Sequence, residues 1–428
     1  MLTPTIDRGS IRTEVSAPLP FWPITMMVAW YPLWFMLGLS GIMWVVLSLP
    51  MAASLARRRG LVVPKGFGWW MIFLVAVVGS ALSLDAFTRF IGYTLRFGYY
   101  IGATVLLLYV LNGRSGIDTF RVIKMFVTLW MIAIVGGYLA FVVGDFGFKS
   151  PTYFITPSVL RDNDLINAWL EPSFAQVQDI VGFPVPRPKA PFTYTNEWGS
   201  MLALLTPFGF VALYDNRVGY SQKLIRIMMA MSVLPAVISL NRGLWLSLGV
   251  GLIYAAIRFG VAGEKKLMIQ GLWAMVVLVV VLSITPLGDL IATRINTGHS
   301  NEDRAGLAIS AIEGAVERPV FGWGAPRPNE RNLPSVGTHG QLWFVTFSHG
   351  FLGAIGFVGT MLSLAWHTRK QNSTAGLWIH VVIIVGMVQM PYYLMVPDQL
   401  FTVFAAAAIA LRLQNEGLVS NSEALAPS

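Results

Sequence analysis

Long apolar blocks separated by short basic turns dominate the chain. Blocks at 67–84, at 90–112 and one ending near 143 each supply about 20 residues, the length a helix needs to cross a hydrocarbon core. The pattern returns at 194–214, 222–240, 243–260, 266–285, 340–366, 375–392 and 396–412. The first block, 21–56, is longer than one span and carries Pro23, Pro32 and Pro50, so it reads as one long kinked helix or as a short hairpin. The pattern predicts an all-α polytopic membrane protein of about 11 to 12 transmembrane helices.

Two polar stretches interrupt the blocks. Residues 145–192 are rich in Pro with charges of both signs, and residues 286–338 follow the eighth block. Connections of this length in a compact protein are usually functional or disordered. Charge decides their side. Lys and Arg concentrate in RRRGLVVPK (57–65), around Arg114, Arg121 and Lys124, around Arg217, Lys223 and Arg226, around Arg258, Lys265 and Lys266, and at Arg369 and Lys370. Basic turns belong in the cytoplasm, so alternation places both long loops and the tight turn at Asn241–Gly243 outside. Residues 1–20 lack an apolar core and read as a disordered lead rather than a cleavable signal. Residues 21–413 form one integral domain, and 414–428 read as a disordered tail.

Composition agrees with this division. The chain of 428 residues is 55% hydrophobic and 12% charged, against about 25% charged in soluble proteins. Its net charge of +9 lies in the basic turns, so no nucleic-acid partner is expected. There is no cysteine, which excludes disulfides, thiolate metal sites and thiol nucleophiles. Neither HExxH nor a carboxylate cluster with metal-ligand spacing occurs, and GWG (322–324) lacks the flanking strand and third glycine of a phosphate-binding loop. Neither a metal nor a cofactor is expected.

Six residues carry candidate chemistry. Arg242 stands at the outer mouth between two spans, where it either snorkels to headgroups or presents a guanidinium fork to phosphate. Arg304 follows SNED (300–303), a helix start with Ser300 as cap. Ala305, Ala308, Ile309, Ile312 and Val316 then form an apolar face on the bilayer side, and Pro319 ends this short amphipathic helix. There Arg304 either strengthens an anion site at the helix N-terminus or pairs with Glu302 or Asp303. His339 lies where the second loop returns to the membrane, as a structural hydrogen-bonder or as a base matched to neutral pH. Arg96 is an intramembrane charge near Tyr93 and Tyr99, and lines a lipid-headgroup groove or bonds to backbone. Asn196 and Glu197 open a span, and either order an acceptor or lock the outer loops together. His349, deeper in its span, reads as a packing residue.

Together these motifs resemble those of the O-antigen ligase and polymerase superfamily of bacterial membrane glycosyltransferases. The resemblance rests on Arg304, Pro319, Gly322, Gly324, His339, Gly350 and Gly353, on Asn241-Arg242-Gly243, and on Asn196 before a mid-chain span. One departure is Gly340, where the family commonly has Asn after the His. The resemblance implies a GT-C-like fold in the cytoplasmic (inner) membrane with its site on the extracytoplasmic face. It implies an undecaprenyl-diphosphate-linked glycan donor, a glycan or lipid-linked acceptor, and inverting transfer without a metal. His339 would deprotonate the acceptor hydroxyl while Arg242 and Arg304 hold the diphosphate, with Asn196, Glu197 and Arg96 binding substrate. TYTNEWG (193–199) is most similar to surface and exopolysaccharide polymerase members, so polymerase is favoured over ligase. Polysaccharide export and assembly proteins are possible partners. The competing classes are a transporter or flippase of lipid-linked glycans, which would need polar residues near midplane, and an assembly scaffold.

Overall fold

The computed structural model describes residues 18–113, 116–179, 182–266, 268–269, 271, 286–296, 299–328 and 335–424. Side chains within these ranges are described except at 286–287, 290, 295–304 and 417–424. The apolar block expected at 266–285 falls almost wholly outside the described residues.

The first apolar block is a hairpin. α1 (Trp22–Ile24), a π turn (Thr25–Ala29) and α2 (Tyr31–Leu37) run one way, and α3 (Ser40–Ala56) runs back beside them. Gly38 makes the reversal at φ +74°, in the left-handed region glycine enters without penalty. Hydrogen bonds fix which ends lie together. The Pro20 carbonyl accepts from the Tyr109 hydroxyl (2.6 Å) and Arg58 Nη1 donates to the Asn112 carbonyl (3.0 Å), whereas the Leu37 carbonyl accepts from Thr152 Oγ1 (2.6 Å). Residues 20 and 58 therefore share one end of the bundle, and residue 37 stands at the other.

Among the described residues, nine further helices build the bundle: α4 (Phe67–Ser80), α5 (Phe87–Leu111), α6 (Thr119–Val143), α10 (Thr195–Tyr214), α11 (Gln222–Ile238), α12 (Arg242–Val261), α15 (Gln341–Thr368), α16 (Thr374–Gln389) and α17 (Asp398–Ala424). Among the described residues, α5, α6, α12 and α15 are long and apolar enough to cross a membrane. α4 packs along α15, α5 between α3 and α17, and α10 between α6 and α16. Gln389 pins three helices in the buried centre: its Oε1 accepts from Ser200 Oγ (2.7 Å), and its Nε2 donates to the Ser200 carbonyl (3.1 Å) and Ser247 Oγ (3.2 Å). A buried amide satisfied on both sides fixes register as apolar contact cannot. The last helix continues to Ala424, beyond the end expected near 412, because Leu, Gln, Glu and Ala follow with no proline before Pro427.

The bundle has chemically distinct ends. At one, the basic turns meet: Arg258 Nη2 donates to the Arg369 carbonyl (2.5 Å), Ser363 Oγ to the Lys65 carbonyl (3.2 Å), and Arg217 lies over the Phe120 ring at 3.9 Å. At the other gather the segment after Gly144, the 239–243 turn and the residues between 319 and 340.

Residues 145–192 are not an unstructured loop, and the fold is not purely helical. α7 (Pro151–Ile155), α8 (Ser158–Arg161) and α9 (Asp164–Leu170) precede a two-stranded antiparallel sheet, β1 (Ala175–Asp179) and β2 (Pro184–Pro188). Its register pairs Gln176 with Arg187 and Gln178 with Val185. Pro184, Pro186 and Pro188 occupy alternate positions, so the N–H groups of Val185 and Arg187 serve the ladder while the prolines take positions that need none. Proline at every second residue marks an edge strand here, where it was expected to mark a loop.

The second long segment carries two helices. α13 (Pro286–Asn296) was not anticipated, and α14 (His299–Glu317) starts ahead of Ser300. Ser300 thus lies in the first turn rather than at the cap, and Arg304 stands in the second turn. Leu307, Ala311 and Ala315 are the buried positions of α14, which packs against α15. The expected apolar stripe is turned outward, with Ile309, Ile312 and Val316 42–64% exposed.

Glycines explain how the segment after α14 meets the bundle. α15 is broken at Gly350, φ +68°. Around the break, Trp323 N donates to the Phe347 carbonyl (3.0 Å), Gly324 N to the Ser348 carbonyl (2.8 Å), and Phe351 N to the Pro319 carbonyl (2.8 Å). A Cβ at Gly350 would lie 2.5 Å from the Val320 carbonyl oxygen, and one at Gly322 2.4 Å from that of Phe347. The spaced glycines are a backbone-to-backbone joint, and side chains there would force it apart.

Candidate active site

The site is built around the start of α15. The first N–H groups of a helix have no partner within it. Here the connection between α16 and α17 supplies acceptors: Gln341 N donates to the Tyr393 carbonyl (2.7 Å) and Leu342 N to the Met390 carbonyl (3.0 Å). The fully buried Gln341 accepts in turn from Met395 N through Oε1 (2.9 Å). Gly340 precedes this helix at φ +90°, where a Cβ would stand 2.5 Å from the Pro391 carbonyl oxygen. An asparagine there would collide with the segment that caps the helix.

His339 is exposed at the mouth of this junction. Its Nδ1 lies 2.9 Å from Thr338 Oγ1, which donates its hydrogen to the Ser335 carbonyl (2.6 Å). A hydroxyl has one hydrogen to give, so Thr338 accepts from Nδ1–H, and Nε2 is the basic nitrogen of the neutral ring. His339 also lines a cavity of about 480 Å³.

Distant parts of the chain meet in the walls of that cavity. α5 supplies Arg96, the first turn of α10 supplies Asn196 and Glu197, β2 supplies Arg187, and α17 supplies Asp398 and Gln399. Arg96 stacks on Phe344, 5.0 Å from the ring centre, and forms no ion pair with a described carboxylate. Arg187 Nε donates to the Ser239 carbonyl (2.7 Å) and its Nη1 to Gln178, which holds the guanidinium at the wall. Glu197 Oε2 accepts from Thr193 N (2.9 Å), and Asp398 accepts from the Tyr31 hydroxyl (3.0 Å) and from Trp44 Nε1.

The sequence candidates divide. His339, Arg96, Asn196 and Glu197 come together on one cavity. Arg242 is the first residue of α12 and is not among the residues that line the cavity. Its neighbour Asn241 caps α12 by accepting from Leu244 N (3.2 Å), donates to the Thr195 carbonyl (3.4 Å), and accepts from the Tyr393 hydroxyl. The side chain of Arg304 lies outside the described residues. His349 is buried against Phe73 and Tyr100, with Nδ1 2.9 Å from Ser80 Oγ. Sequence reading missed Arg187, Asp398 and Arg294, the last buried with Nε 3.2 Å from the Leu240 carbonyl. An aspartate opening an otherwise apolar block was a visible signal for Asp398.

One exposed ion-pair network braces the segment that leads to His339. Asp85 accepts from Arg89 (2.5 Å) and from Arg327 of the incoming loop. Hydrogen bonds from Arg89 and then Arg327 hold its carboxyl down to about 2. Among the described residues, no group of three or more His, Asp or Glu converges to hold a metal.

No protein-family model matches the chain, and no curated protein matches it.

Proposed function

We propose that this protein is a membrane glycosyltransferase of the O-antigen ligase and polymerase type. It passes a glycan from undecaprenyl diphosphate to an acceptor sugar hydroxyl at the outer face of the cytoplasmic membrane. The observation that carries this reading is the single cavity where His339, with Nε2 basic, shares walls with the unpaired Arg96. With the first block a hairpin, twelve spans follow, and the basic turns fall at the cytoplasmic end.

The chemistry follows from these groups. Nε2 of His339 takes the proton of the acceptor hydroxyl as its oxygen forms the new bond at the anomeric carbon. The carbon–oxygen bond to the diphosphate breaks, and the electron pair leaves with it. Arg96 and Arg187 are the guanidinium groups on the cavity wall that meet this charge, and Arg242 and Arg304 are further candidates for holding the diphosphate. Polymerase is favoured over ligase.

A deletion strain complemented with wild type or His339→Ala at equal expression tests the reading. Loss of polymer with single lipid-linked units accumulating supports a polymerase. Long polymer stranded on the lipid supports a ligase. A full wild-type glycan profile from His339→Ala overturns the catalytic reading in favour of transport.

A further inference from the structure

The cavity carries, besides its cations, a wall made of hydrogen-bond acceptors. Glu197 and Asp398 both line it. Gln399, 1% exposed, faces the same space with Oε1 unpartnered, and Tyr99, 2% exposed, with its hydroxyl unpartnered. Buried polar atoms are almost always paired. Two such unpartnered groups, beside two carboxyl groups on the same cavity, mark a position that a ligand completes.

The chemistry of the four groups restricts that ligand. Carboxylate oxygens and an amide oxygen accept, so the ligand must bring several donors set a few ångströms apart. Adjacent hydroxyls of a sugar ring have this spacing. Aromatic surface stands at the same cavity in Tyr194 and Tyr392, 45% and 41% exposed, which suits the apolar C–H face of a pyranose. A uronate or a phosphate would instead place a further negative charge beside Glu197, which electrostatics opposes. Arg96 has no ion pair to either carboxylate, so its charge is left for the anionic donor.

We infer that Glu197, Asp398, Gln399 and Tyr99 form the seat of a neutral, polyhydroxylated sugar ring. Calling this ring the acceptor rests on the glycosyl-transfer reading; the seat itself does not.

The test uses full-length protein in nanodiscs and saturation-transfer NMR. The probes are methyl glycosides of glucose, galactose and mannose, each compared with its own C6 uronate. At least one neutral glycoside should bind about fivefold or more tighter than its uronate, because the uronate meets like charge. Glu197→Gln should shrink that preference to about twofold or less by removing the repulsion. Gln399→Leu, which leaves both carboxylates in place, should weaken the neutral glycoside by about fivefold through loss of an acceptor. Absence of binding by all three neutral glycosides overturns the seat. So does equal binding of neutral and acidic probes, or a preference that Glu197→Gln leaves intact. The two readings fail separately. Selective binding together with a normal glycan profile from His339→Ala keeps the seat and removes glycosyl transfer. Glycan loss in His339→Ala beside unselective binding does the reverse.

Discussion

Thr338 and His339 are neighbours in sequence, and the hydroxyl of the first fixes the tautomer of the second. Thr338 Oγ1 spends its hydrogen on the Ser335 carbonyl and receives Nδ1–H at 2.9 Å. The role an adjacent asparagine would play passes here to the preceding threonine, since residue 340 must be glycine. Thr338→Val removes the acceptor while keeping shape. Transfer rate should fall about tenfold or more, as for other residues that orient a functional imidazole. Thr338→Ser should stay near wild type. An equal loss in both variants would deny the hydroxyl this role.

Gly340→Asn tests the steric argument directly. It places a side chain at a position where φ is +90° and a Cβ would stand 2.5 Å from the Pro391 carbonyl oxygen. The strain should cost about 1–3 kcal/mol, read as a lower thermal midpoint in detergent, and activity should fall with it. A gain of activity would mean that the capping segment yields.

Arg96 gives a separable prediction. Because no carboxylate among the described residues pairs with it, Arg96→Gln leaves no described acid orphaned. Thermal stability should hold while the rate falls on the order of a hundredfold, the usual cost of losing one charge-stabilising donor. Breaking a buried ion pair would instead cost stability. Parallel midpoint and rate measurements distinguish the two.

Asp85 sets a pH window. Its carboxyl is held to about 2 in the folded protein, below about 3.9 in an unfolded chain. The depressed value means that its contribution is complete above the unfolded pKa and is lost as pH falls through about 2. The difference in thermal midpoint between wild type and Asp85→Asn should be constant from neutrality to about pH 4.5 and shrink only in stronger acid. A difference that collapses between pH 5 and 7 would assign the bracing to another group.

The sequence made much of the bundle legible, for a physical reason. Apolar blocks of membrane-crossing length and basic turns are local signals, and α5, α6, α10, α12 and α15 fall where those signals place them. The tight turn at Asn241 was equally plain. What escaped depends on long-range pairing. Proline in alternate positions suits a strand only because Ala175–Asp179 lies alongside. Arg187 reaches the cavity because that ribbon folds back onto Ser239. Of the candidate residues, His339, Asn196, Glu197 and Arg96 were identifiable as polar groups at the ends or within apolar blocks. That Asn241 caps α12 while Arg242 beside it does not line the cavity is a choice of side that spacing does not encode.

The bond from Tyr31 to Asp398 joins positions 367 residues apart. One belongs to the first hairpin and the other to the last helix, so the cavity has no closed wall until the membrane has received nearly the entire chain. A nascent chain halted between Glu197 and Asp398 holds Arg96 and Glu197 but lacks the wall that α17 supplies. Whatever binds in the cavity meets its complete lining only once the last helix is in place.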